Sequence, residues 1–311
     1  MRPTDLVRGA ADDVATVARG WRWGRRPLVP RSAAAHQLAT ANPPFPTAWA
    51  RKAAAVAVRD AVQAGVMGPL VRAEVATSVS GTDVLTGLRP PVLFVSNHAS
   101  HLDTLLVLTA LPAPWRRRTA VAAAADYFFD TWWRAASSAL VFNAFPIERR
   151  SGQLETTPGD LLAQGWNLVV FPEGTRSTDG WMGRFRLGAA YLATRHQVPV
   201  VPVAIRGSYA AMPRGRGWPL PGRPPVSIRF GPAVHPGATE TPREMAPRLE
   251  SAVAALLDED ASTWWQARQR LAAGGTPAAS GPAVAQWRRV WESSRLPEQP
   301  RTRRAWAARG R

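Results

Sequence analysis

Val95-Ser96-Asn97-His98-Ala99-Ser100-His101-Leu102-Asp103 joins a short apolar run to a stretch with helical spacing, and the reading of that junction decides the fold. Val92 to Ser96 reads as a buried strand and Ser100 to Leu111 as a helix. A second junction, Phe171-Pro172-Glu173-Gly174-Thr175-Arg176-Ser177, closes the apolar run from Leu168 in the same way. A histidine with a carboxylate five residues on, and an arginine in a glycine-bearing loop, therefore each follow a strand. On one regular helix five residues would turn two side chains about 140° apart. His98 and Asp103 can meet only if the histidine lies in the strand-to-helix turn and the aspartate in the helix's first turn. Ser100-His101-Leu102-Asp103 is also a capping-box pattern, which by itself would leave Asp103 a purely structural role.

Outward from these junctions, β-rich and helical stretches alternate. Strands are expected at Arg118 to Ala123, Val141 to Pro146 and Val226 to Phe230, and helices at Tyr127 to Leu140, Leu187 to His196 and Thr241 to Leu257. Thr157 caps a further helix, with Pro158 at its first position, Asp160 at its third and Gly165 closing it. The apolar run Val198 to Ile205 contains Pro199 and Pro202, which argues for an edge strand or a bulge. Ala48 to Val66 reads as a helix that Gly68 ends. Alternation of this kind predicts an α/β fold, a central mixed sheet flanked by helices, with ligand sites outside the carboxyl ends of the strands. Residues 1–47 read as an amphipathic helix and a proline-rich linker, 48–260 as the globular domain, and 261–311 as a basic Trp/Arg-rich, partly disordered tail.

Charge is concentrated at the ends. Of a formal +17, residues 1–60 contribute ten basic and four acidic side chains, and residues 261–311 ten and two. Trp21 and Trp23 interleave with arginines near the start, and Trp264, Trp265, Trp287, Trp291 and Trp306 punctuate the tail. Tryptophan suits the headgroup layer and arginine meets lipid phosphates there, although the same pairing suits single-stranded nucleic acid. No zinc-finger spacing, P-loop or RNP motif accompanies it, so an anionic membrane surface is the expected partner and no nucleic acid is expected. The apolar runs fall short of the roughly 18 to 20 residues that a bilayer requires, and Asp5, Asp12 and Asp13 interrupt any signal-peptide core. The expectation is a peripheral protein on the cytoplasmic face of the cell membrane. The chain has no cysteine, which removes disulfides, thiolate metal sites and a cysteine nucleophile. His101 stands three residues from His98, but no further ligand has zinc spacing, so no metal is expected and His101 is read as solvent-facing.

The two junctions, with Phe145-Pro146-Ile147-Glu148-Arg149 between them and Val198-Pro199-Val200-Val201-Pro202-Val203 after them, resemble the four ordered blocks of the glycerolipid acyltransferases of the lysophosphatidate and glycerol-3-phosphate type. The resemblance covers roughly residues 60 to 240. It implies a glycerolphosphate acyltransferase-like fold, catalysis by His98 and Asp103, and phosphate binding by Arg149 and Arg176, with Glu173, Gly174 and Thr175 shaping that site. It implies further a thioester donor, acyl-CoA or acyl carrier protein, a lysophospholipid acceptor and no cofactor. His98 would take the proton of the acceptor hydroxyl as it attacks the thioester, and Asp103 would hold the imidazole tautomer. Glu148 stands where many phosphatidate-forming relatives carry aspartate, which leaves another glycerolipid or glycolipid acceptor open.

Overall fold

The computed structural model describes residues 46–124, 132–147, 157–282 and 287. Seven strands form one sheet: β1 (Ala76–Ser80), β2 (Leu93–Ser96), β3 (Thr119–Ala124), β4 (Ala144–Ile147), β5 (Asn167–Val170), β6 (Val200–Arg206) and β7 (Pro225–Phe230), in the order β1-β7-β6-β2-β5-β3-β4. Five neighbouring strands, β6, β2, β5, β3 and β4, run parallel; β7 pairs antiparallel with β6 and carries β1 parallel to itself. The sheet is mixed, as expected. Strand residues alternate between its two faces. Phe94, Val121, Val169 and Val201 enter one core with Val71, Leu106 and Val107. Leu93, Val95, Leu168 and Val170 enter the other with Leu161, Ala190, Met245 and Leu249. Both faces are therefore covered by helices.

The helices are α1 (Ala53–Val62), α2 (Gly68–Glu74), α3 (Leu102–Ala110), α4 (Ala113–Arg117), α5 (Trp132–Phe142), α6 (Pro158–Ala163), α7 (Leu187–His196), α8 (Ser208–Ala211), α9 (Pro242–Ala261) and α10 (Trp264–Ala272). Thr157 and Thr241 both form complete capping boxes, with Asp160 and Glu244.

Four expectations need correction. Gly68 does not end the first helix, because a π-turn over Gln63–Met67 links α1 to α2 and Gly68 N–H bonds the Gln63 carbonyl. That wider turn accommodates Pro69, which would otherwise remove a donor and crowd the preceding turn. The joined run Ala53–Glu74 is 22 residues long with a mean hydropathy of 1.2, so among the described residues one helix is long and apolar enough to cross a membrane. β6 is interior, not an edge. Pro199 precedes it, and Pro202 faces Gly231 just beyond the end of β7, where the Pro202 carbonyl still accepts the Gly231 amide at 2.9 Å. Pairing resumes beyond it at Val200 and Val234, and between that pair and Val203–Phe230 the partner segment carries one residue more, so the bulge alternative stands while the edge alternative falls. Finally, the folded body passes residue 260. Thr263 caps α10, Ala267 is buried, and the Ala279 carbonyl accepts Met182 N–H at 3.1 Å.

Edge strand β1 was not legible. Ala76-Thr77-Ser78-Val79-Ser80 has no large buried side chain, and its place is set by pairing with β7. The N-terminal amphipathic stripe and nearly all of the tail beyond 282 lie outside the described residues.

Candidate active site

β2 is central, with β6 on one side and β5 on the other, all parallel. Their carboxyl ends consequently lie side by side, and the loops after β2 and β5 must meet. Asn97 fixes the first loop. Its side chain pairs with the backbone of Ile205 through two 2.8 Å bonds, one donated by Nδ2 and one accepted by Oδ1, so the turn is tied to β6 as though the strand continued. Ser100 Oγ donates to the Met212 carbonyl at 2.7 Å and so fastens the start of α3 to the loop after α8.

His98 Nδ1 lies 2.9 Å from Asp103 Oδ2. The same oxygen accepts the Ala99 and Ser100 amides at 2.7 and 2.8 Å. The capping position and the contact with His98 are compatible, because one buried carboxylate oxygen terminates the helix and holds the ring. The Asp103 side chain is 0% exposed and that of His98 18%. With the carboxylate as acceptor, Nδ1 carries the proton and Nε2 is the basic nitrogen. Phe171 stacks on the imidazole at 4.1 Å between centroids and 22° between planes, holding the ring against rotation.

Glu173 does not face outward. Its Oε1 accepts the His98 amide and its Oε2 the Gly183 amide, each at 2.7 Å. Its carboxylate thereby couples the histidine turn to the loop that leads into α7, and Ser177 N–H closes the contact on the His98 carbonyl at 2.8 Å. Gly174 has φ of +73°, a left-handed conformation suited to glycine, and a Cβ there would come within 2.9 Å of the Arg186 guanidinium. Thr175 is exposed at the rim and Arg176 half-buried. Arg149 lies outside the described residues, as do Glu148, Phe128 and Phe129.

His101 is half-buried beside this centre, which corrects the solvent-facing expectation. Burial, and then the positive field of Arg176, hold its imidazole down to about 4. Arg176 and Arg214 both act on it electrostatically, so the pocket mouth is a positive region next to the His98–Asp103 pair. Phe171, Asn97, Gly183 and Arg186 are site residues that the motif reading left without roles. Phe171 stood within the quoted block, but only the fold shows that it stacks. Among the described residues no cluster of His, Asp and Glu could hold a metal ion.

Residues 76–206 match the family model described as Acyltransferase. The chain is similar to a 1-acyl-sn-glycerol-3-phosphate acyltransferase of Chlamydomonas reinhardtii, 33% identical over 141 residues, covering 45% of this chain and 41% of that protein. A mouse 1-acyl-sn-glycerol-3-phosphate acyltransferase alpha is 33% identical over 154 residues, 44% of this chain and 50% of the relative. The chain thus spans half or less of the length of these relatives. The crystal structure of the 1-acyl-sn-glycerophosphate (LPA) acyltransferase PlsC from Thermotoga maritima superposes with a TM-score of 0.54 at 24% identity, over 66% of this chain and 82% of that one, and shows the same fold.

Proposed function

We propose that this protein transfers a fatty acyl group from a thioester, acyl-CoA or acyl-ACP, to the hydroxyl of a lysophospholipid, with lysophosphatidate becoming phosphatidate as the leading case. The observation that carries this reading is the His98–Asp103 pair at the carboxyl ends of the parallel strands, with Arg176 beside it. His98 Nε2 takes the proton from the acceptor hydroxyl as its oxygen attacks the thioester carbonyl. Asp103 stabilises the imidazolium that results, and the proton then passes to the departing thiolate, so no acyl-enzyme is needed. Arg176, joined by Arg149, binds the acceptor's phosphate through a planar fork that fixes orientation as well as charge. Glu173 acts by positioning the His98 backbone.

The protein works as a peripheral enzyme on an anionic, cytoplasmic membrane face. Support comes from the basic, tryptophan-bearing ends, from the long apolar helix Ala53–Glu74, and from exposed Val58, Val66, Trp132 and Trp133, the first of these at 49% and Trp132 at 76%. Release of free thiol from acyl-CoA and from acyl-ACP, each with and without lysophosphatidate, tests the reaction and separates the donors. Absence of acceptor-dependent thiol release across a panel of lysolipids and glycolipids sinks the reading.

A further inference from the structure

Two arginines that the proposed reaction does not use lie near the start of α1, Arg51 just ahead of it and Arg59 reaching back from its last turn. Arg59 is 2% exposed, among the largest fully buried side chains of the described chain. Side chains on a helix point back toward its N-terminus, and Arg59 does so: its Nη1 donates to the Ala50 carbonyl at 2.8 Å, just ahead of the first turn. Its Nη2 is buried and makes no hydrogen bond. Arg51, half-buried, donates from Nη2 to Thr47 Oγ1 at 3.2 Å, and its Nη1 is likewise buried without a partner. The two cations sense one another, since Arg51 is among the causes that, after burial, bring Arg59 down to about 10.

No acidic side chain among the described residues pairs with either. Asp60, whose field reaches Arg59, is held by Arg116 and Arg117 at 2.8 Å each. Between the two arginines α1 begins at Lys52, the one lysine of the chain, with no side-chain cap on its first turn. Uncapped amides at the start of a ten-residue helix carry partial positive charge and point at whatever sits there. Buried charge without a paired counter-charge is strongly unfavourable, and among the described residues Asp60, already held by two arginines, is the only opposite charge whose field reaches Arg59.

We propose that Arg51, Arg59 and the first-turn amides of α1 form a second anion site, built for a phosphate group and separate from the His98 centre. Two guanidinium forks and free amides match the oxygens of a phosphate better than a lone carboxylate. The phosphate is that of a lipid headgroup or of a free phosphate, and both sources present the same oxygens.

The test uses the full chain carrying Arg149→Ala and Arg176→Ala, which together remove the phosphate response assigned to the catalytic pocket. Thermal unfolding is followed in inorganic phosphate, at an ionic strength held constant with chloride, and in phosphatidylcholine vesicles with and without phosphatidate. A saturable rise in Tm with inorganic phosphate identifies free phosphate as a ligand; a rise with phosphatidate vesicles alone identifies the headgroup. Either response should disappear in Arg51→Gln and in Arg59→Met, while acyl transfer to a dispersed short-chain acceptor by the corresponding single variants stays unchanged. Arg51 is half-buried and its variant reports even if Arg59→Met folds poorly. A response that survives both substitutions, or a protein indifferent to phosphate in both forms, overturns the proposal. Loss of acyl transfer in the double Arg149 and Arg176 variant bears only on the catalytic reading.

Discussion

Asp103 and Arg59 are both buried charged side chains, the first in the opening turn of α3 and the second in the last turn of α1 with its guanidinium folded back to Ala50, and they are held differently. Asp103 Oδ2 receives three donors, the His98 ring and two amides, all supplied within five residues of chain. Arg59 donates to a single carbonyl and keeps a buried Nη2 unpaired; Asp103 Oδ1 is likewise buried without a partner, so the two differ in the number of bonds that hold them, three against one. A charge held by several bonds has a fixed geometry, whereas one held by a single bond can, on the proposal above, take a further ligand.

The sharpest test of the first half is His98→Ala. Acyl transfer should fall by a factor of ~10² to 10⁴ or more while the melting transition is kept, because a surface-facing base is lost and no core is emptied. Unchanged turnover by folded protein would falsify the mechanism.

Asp103→Leu probes the other partner and should separate the two buried charges. Three donors lose their acceptor, so stability should drop by about 3 kcal/mol or more. Arg59→Met in phosphate-free buffer should be neutral or stabilising by the same reasoning. Equal destabilisation by both, measured by denaturant unfolding, would erase the contrast. Asp103→Asn is milder, retaining trace turnover because shape survives while charge and tautomer control are lost.

Arg176→Lys should raise KM for the acceptor about tenfold or more, leaving KM for the donor near its original value, since a point charge replaces a bidentate fork. A penalty confined to the thioester assigns Arg176 to the donor instead.

The smallest effect concerns acid. His101 ordinarily titrates at 6.5 and in the fold at about 4, so between those values the unfolded chain binds the extra proton. Its contribution is flat above 6.5, falls as pH drops through the window and is flat again below about 4. His101→Gln should therefore shallow the loss of stability across that window. An unaltered pH profile removes His101 as its source.

Much of this was written locally. The His98-to-Asp103 spacing, the Thr157 and Thr241 capping boxes and the alternation of strand and helix are short-range patterns that steric and hydrogen-bond rules convert directly into structure. The two motif loops could be placed after strands because apolar runs of four or five residues end where the loops begin. Wrong or missing readings share one cause: they depended on which segments become neighbours. Pro202 leaves edge and bulge open until β6 is seen inside the sheet with one extra residue opposite it between the Val203–Phe230 and Val200–Val234 pairs, and Gly68 argues for a stop until the π-turn is seen before Pro69. β1 has too little apolar character to announce itself, and only β7 recruits it.

The sequence by itself determined the class of fold, the pairing of His98 with Asp103, and the placing of the Arg176 loop directly after a strand, since each is encoded in spacing within a few residues. Tertiary structure alone decided that β2, β5 and β6 lie adjacent, that Phe171 stacks on His98, and that Glu173 grips two backbones instead of facing the pocket. It also decided that Arg59 is buried with no acidic partner among the described residues. Those facts arise between positions up to a hundred residues apart, where strand order and burial, which no local pattern records, select the partners.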